Sequence, residues 1–153
     1  ENESLFRLKE KSIAENIEFT LATVNYATPI YTNNKTGEKL YTSDDNEFLI
    51  TDIMVTDWKL TSETKMIDKY LCYKATSIHQ IVNPVATFEY PVIAWFCPQI
   101  PVPFGPIGYG KLPGLILELQ RRNFVYGIKS ISLDSEKIEI KKPSKEKKSV
   151  QLN

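Results

Sequence analysis

Apolar, β-branched and aromatic residues recur along most of this chain in short runs, each closed by Asn, Asp, Ser, Gly or Pro. That texture predicts strands joined by tight turns rather than helices. Residues 17–26 (IEFTLATVNY), 38–42, 48–52, 55–61, 65–78 and 86–97 read as successive strands. The pattern resumes at 114–120 and 123–133, with a last short strand at 137–140. Turns are expected at Asn33-Asn34-Lys35-Thr36-Gly37, where Asn and Gly tolerate positive φ, and at the polar run 43–47. Further turns are expected at Ser62-Glu63-Thr64, near Asn83-Pro84 and at Arg121-Arg122-Asn123, which makes 55–78 a hairpin. In 86–97 (ATFEYPVIAWFC) Pro91 cannot donate to a ladder, so this strand lies at an edge or carries a bulge there. Leu115, Leu117 and Leu119 alternate and are expected on one face. Helical spacing occurs at residues 4–16, through Leu5, Leu8 and Ser12, and reads as a short amphipathic helix or a frayed lead-in.

The expected fold is all-β or mostly β: a curved antiparallel sheet with at most a short N-terminal helix. Such a sheet must hide one face, as a half-barrel, a barrel or a sandwich, and the pattern does not choose among these. Residues 1–140 read as one β-rich domain. Residues 141–153, with Lys141, Lys142, Lys145, Lys147 and Lys148 and no apolar periodicity, read as a disordered tail.

Composition narrows the function. The chain has 153 residues, and its 19 Lys+Arg are balanced by 19 Asp+Glu. It therefore lacks the basic excess of a protein that grips phosphate backbones, and nucleic acid is not expected as a partner. No apolar run approaches the roughly 18–20 residues of a transmembrane helix. The start at Glu1-Asn2-Glu3, without Met, suits a trimmed product. No nucleophile elbow, zinc-protease helix, phosphate loop or dinucleotide fingerprint is present, so neither catalysis nor a cofactor is expected. The acidic run at 43–47 lacks the oxygen spacing of a calcium loop, and the single histidine, His79, reads as structural. Trp58 and Trp95 read as sheet residues before they read as ligand platforms.

Cys72 and Cys97 match no zinc or redox spacing. Around a hairpin turn at residue 84, facing residue numbers sum to about 168–169, and those of the two cysteines sum to 169. They are thus expected to face each other across a ladder. One disulfide, two buried thiols and a thiolate metal site all remain open, with no metal expected.

Residues 98–113 break the pattern. Pro98, Pro101, Pro103, Pro106 and Pro113, with Gly105, Gly108 and Gly110, forbid a helix or a central strand. The surrounding stretch 94–119 reads AWFCPQIPVPFGPIGYGKLPGLILEL. Its AWF segment, its Pro98–Pro101 run, Gly105-Pro106 and Leu112-Pro113-Gly114-Leu115-Ile116 resemble the GLPGLI family of small exported bacterial proteins. Trp58-Lys59-Leu60 and Cys72-Tyr73-Lys74-Ala75 resemble that family's upstream segments, so the likeness runs over about residues 48–120. The motif's first Gly is Lys111 here; if that position needs positive φ, Gly110 is the substitute at hand. The resemblance implies a removed signal peptide and a periplasmic, outer-membrane or secreted setting, and it implies no reaction. That setting favours an oxidised Cys72–Cys97 pair.

Two functions are compatible with this reading. One is an envelope protein that binds or carries an apolar, lipid-like molecule in a concave face closed by the Pro-rich loop. The other is an interaction module for an envelope protein, using 98–113 as an exposed segment with a Phe104–Tyr109 patch. The alternative role for the loop is a clamp, with Phe104, Tyr109 and Leu112 plugging the core and Pro113-Gly114 launching the next strand. Under any of them the residues to watch are Phe104, Tyr109, Leu112, Pro113 and Gly114.

Overall fold

A computed structural model describes residues 3–6, 30–42, 48–127 and 148–151. Most of these residues lie in ten strands arranged as two five-stranded sheets. Neither sheet closes on itself among the described residues, and the mostly antiparallel, mostly β architecture is the one expected. By contacts the chain forms two compact units, where the sequence reads as a single domain over 1–140. The first comprises the described residues of Glu1–Met54, Ile107–Tyr109 and Glu136–Asn153; the second comprises those of Val55–Pro106 and Gly110–Ser135.

In the first unit, β1 (Glu3–Phe6), β2 (Ile30–Asn33), β3 (Glu38–Thr42), β4 (Phe48–Ile53) and β10 (Lys148–Gln151) lie in the order β1-β2-β3-β4-β10. The turn between β2 and β3 is the predicted Asn/Gly cluster. The Asn33 side-chain oxygen accepts from the Lys35 and Thr36 amides, and Gly37 completes the reversal at φ 77. Ser4 and Thr32 hydrogen-bond side chain to side chain where β1 meets β2. Residues 3–6 are thus a strand where a helical lead-in was expected, and the rest of 4–16 lies outside the described residues. So do the readings at 17–26, 43–47 and 137–140. The C-terminal tail departs from expectation at Lys148–Gln151, which adds to β4 as the sheet's one parallel pairing.

The second unit carries β5 (Lys59–Ile67), β6 (Tyr70–Val82), β7 (Thr87–Cys97), β8 (Leu115–Arg121) and β9 (Phe124–Gly127), neighbours in that order. The polar triplet at 62–64 is not a turn. It belongs to a bulge within β5, where the register jumps between Leu60 and Thr64; Thr61 there donates to the Lys74 carbonyl at 3.0 Å. The chain reverses instead at Asp68-Lys69, with Asp68 at φ 54. The next reversal is where it was expected. Asn83 accepts from the Val85 and Ala86 amides, both at 2.9 Å, and every pair from Val82↔Thr87 to Tyr73↔Phe96 keeps the predicted sum. A second bulge, at Leu117 on β8, overturns the alternation expected there. Leu115 faces Cys97 and Leu119 faces Ala94, positions on opposite faces of β7. The predicted strand 123–133 is seen as β9 through Gly127, and its remainder lies outside the described residues.

Candidate functional site

The Pro-rich loop leaves β7 by a turn in which the Ile100 amide donates to the Cys97 carbonyl at 3.1 Å. It is then pinned from several sides. Leu115 donates to the Ile100 carbonyl at 2.9 Å, Ile116 to Phe104 at 3.0 Å, and Lys111 to Pro103 at 3.1 Å. Phe104 and Gly110 form a bridge, and the Trp58 indole donates to the Gly110 carbonyl at 2.9 Å. A loop with this much internal bonding satisfies its backbone groups without a ladder.

Its larger apolar side chains are mostly buried, with Val102 exposed. Ile100, Ile107, Tyr109 and Leu112 are at most 5% exposed, Phe104 is half-buried, and Gly114 is buried. A Cβ on Gly114 would lie 2.2 Å from the Cys97 carbonyl oxygen and 2.8 Å from the Pro98 nitrogen. The Pro-Gly step therefore exists because one stretch of backbone crosses directly over another, and no larger residue fits. Pro113, beside it, is exposed. Of the predicted loop residues, Tyr109 belongs to the first unit; Phe104, Leu112, Pro113 and Gly114 belong to the second. The expected exposed Phe104–Tyr109 patch is not seen, since Tyr109 is 5% exposed and Phe104 is half-buried.

The loop is strained. Ile107 sits at φ 47, ψ 37 and Lys111 at φ 63, conformations that cost an L residue with a side chain roughly 1–2 kcal/mol. Lys111 is the position where the motif has Gly, and it is indeed a positive-φ position. Gly110 does not take over that conformation, since among the glycines only Gly37 and Gly108 have positive φ. In the first unit, Gly108 (φ 78) lies where a Cβ would meet Ile30 and the Lys39 stem, and the Lys39 ammonium stands over the Tyr41 and Tyr109 rings at 5.7 and 5.8 Å. Complete burial of Ile107 compensates for its backbone.

Cys72 and Cys97 each lie one residue beyond the last facing pair, Tyr73↔Phe96, and both are free, fully buried thiols. They pack with Ile100 and Leu117, flanked by Ile67, Tyr70, Trp95 and Leu115. Burial, then the neighbouring Cys97, pushes the Cys72 thiol up to about 11, so it remains protonated and a poor nucleophile at neutral pH. Among the described residues no group of three or more His, Cys, Asp or Glu could hold a metal ion. Cys72 packs against Cys97, and Gly114 lies against the Cys97 carbonyl, while Trp58 meets the loop separately at Gly110.

Sequence reasoning missed the other end of the same hairpin. The β5 pairing with β6 ends at Lys59↔Thr76, and the β8 pairing with β7 ends at Arg121↔Val92. From Ile78↔Pro91 to Val82↔Thr87 the hairpin continues with no strand beside it among the described residues. Pro91 sits where β7 has just lost its outer neighbour, which meets its expected edge position. On this arm Ile78, Val82, Val85 and Phe88 are 54%, 70%, 93% and 46% exposed. Residues 78–88 contain no Asp, Glu, Lys or Arg, and this is the signal that could have found the arm. Nearby, Ser77 donates to Asp57 at 2.8 Å, Gln80 to Glu89 at 3.3 Å, and the Arg122 guanidinium lies 4.6 Å from the Tyr90 ring centroid.

On the outer surface of the sheet Lys65 bonds Glu118 at 2.9 Å and lies 4.5 Å from the Trp95 ring, while Lys74 bonds Glu63. These half-exposed pairs tie strands together and leave the Trp95 face occupied.

Residues 82–118 match a family model described as a protein of unknown function, Porph_ging. That span covers the whole of β7, the Pro-rich loop and β8 as far as Glu118. No curated protein and no solved structure matches the chain.

Proposed function

We propose that this chain is a non-catalytic, exported envelope protein of the GLPGLI kind that binds an apolar, lipid-like ligand. The observation that carries the reading is the distribution of exposed apolar residues. Among the described residues, five of the ten exposed large apolar side chains, Leu71, Ile78, Val82, Val85 and Phe88, lie on the β6–β7 hairpin. Scattered exposed leucines and valines need no explanation, whereas a concentration on one hairpin supports a contact with something apolar. The alternative, a protein-interaction module that displays the Pro-rich loop, has less support because the loop's larger side chains are inside. Its exposed remainder is Pro98, Gln99, Pro101, Val102 and Pro113.

Native and denaturing mass spectrometry on protein purified from a bacterial periplasm tests the reading. Extra mass that is lost on denaturation and extracts into organic solvent is the expected result. A clean mass, together with no uptake of an added fatty acid or phospholipid, contradicts it.

A further inference from the structure

The geometry points to the free end of the β6–β7 hairpin, residues 78–91, as an arm that docks on an anionic lipid surface. The inference rests on the lipid-like ligand proposed above and names the form in which it is met.

Three observations combine. The first is reach. The five pairs beyond the neighbouring strands extend the arm by about 16 Å at ~3.3 Å per residue, and the turn adds to it. That is longer than the headgroup layer on one side of a bilayer, roughly 5–8 Å, so Val82, Val85 and Phe88 can arrive at the acyl boundary. The second is composition: no Asp, Glu, Lys or Arg lies between Ile78 and Phe88, so no such charge at the end of the arm has to leave water.

The third is charge at its base. Lys59 stands across from Thr76 on one flank, and Arg121 stands across from Val92 on the other, with Arg122 next to it against Tyr90. These cations sit at the level where the arm emerges. Asp57 also stands there, accepting from Ser77, and Glu89 lies at the third pair along the arm, accepting from Gln80, so three cations face two carboxylates. An apolar projection rising from a cationic collar complements a surface with hydrocarbon below and phosphates above. A second copy of the chain fits less well. It would bring a collar of the same sign, and Pro91 removes a backbone donor from the edge that strand addition would use.

The test is sedimentation of the full chain with vesicles of phosphatidylglycerol in phosphatidylcholine, against phosphatidylcholine alone. The Val85→Trp variant reports the arm's surroundings by its emission. Expected are co-sedimentation with the anionic vesicles and a blue shift of the new tryptophan. Val85→Asp should weaken binding at least about tenfold, from the hydrophobic contact of one side chain. The pair Arg121→Gln and Arg122→Gln should weaken it about 25-fold, from roughly fivefold per cation, with phosphatidylcholine binding unchanged. All variants should keep the wild-type melting curve. Binding that none of these substitutions alters overturns the assignment to the arm. Absence of vesicle binding overturns the proposal too; if self-association is then found and Val85→Asp abolishes it, the arm belongs to a second copy. In either failure, extractable mass in the native spectrum keeps the broader ligand-binding reading, and a clean spectrum removes both.

Discussion

Two described segments of this protein, a Pro-rich loop and a hairpin arm, solve the problem of apolar residues in opposite ways. The loop 98–114 has irregular backbone, with Ile107 and Lys111 at positive φ, and it buries Ile100, Ile107, Tyr109 and Leu112. The arm 78–91 has regular, paired backbone, and it exposes Ile78, Val82, Val85 and Phe88. Strain and unusual composition are often taken as marks of a working site. Here they accompany an internal clamp, and the ordinary-looking hairpin carries the surface. The lesson is that backbone strain has to be weighed against what the side chains at that place bury.

The sharpest contrast between the regions is in stability. Gly114→Ala would place a methyl 2.2 Å from the Cys97 carbonyl and so force two backbone segments apart. A loss of about 3 kcal/mol or more is expected in urea unfolding, at the upper end for overpacking. A change below ~1 kcal/mol would show that the crossing relaxes freely.

The clamp should also be felt in alkali. The Cys72 thiol is raised from 9.0 to about 11 in the folded protein, so the folded state holds its proton more tightly than the unfolded chain does. Stability from this group is fully present below pH ~9 and falls as pH rises towards 11, on the order of 2–3 kcal/mol in all. Denaturation midpoints measured between those pH values should show the decline, and Cys72→Ala should flatten it. An unchanged slope in that variant would assign the decline to other groups.

Smaller effects follow. Trp58→Phe removes the donor to the buried Gly110 carbonyl and should cost about 1–2 kcal/mol by the same unfolding measurement. Lys111→Gly relieves a positive φ and should raise stability by about 0.5–1 kcal/mol, against the usual direction for glycine. On the arm, Val85→Asp should leave unfolding within about 0.5 kcal/mol of wild type, because Val85 is 93% exposed. A large loss there would mean that the arm is packed in solution.

How much of this was legible follows from local chemistry. The β3 strand, the Asn33–Gly37 turn and the β6–β7 register could be read because Asn, Gly and Pro set those turns directly. The β5–β6 turn could not. Asp68-Lys69 carries no Gly or Asn to announce it, while the Ser62-Glu63-Thr64 bulge imitates a turn. The Leu117 bulge on β8 was equally hidden, since one extra residue leaves no trace in an alternating run. A positive φ at position 111 was one of the needs the sequence raised there, whereas the backbone crossing at Gly114 was read only as a turn. The arm left only the uncharged run 78–88 as a trace, and its exposure could not be read from that. A long apolar strand looks the same whether its neighbours run its full length or stop short, as β5 and β8 do at Thr76 and Val92.

Hydrogen exchange with and without phosphatidylglycerol vesicles compares both regions in one experiment. The account predicts slowed exchange across residues 78–91 on addition of vesicles, with 98–114 already protected and unchanged. Slowing confined to 98–114, or at neither place, would contradict it.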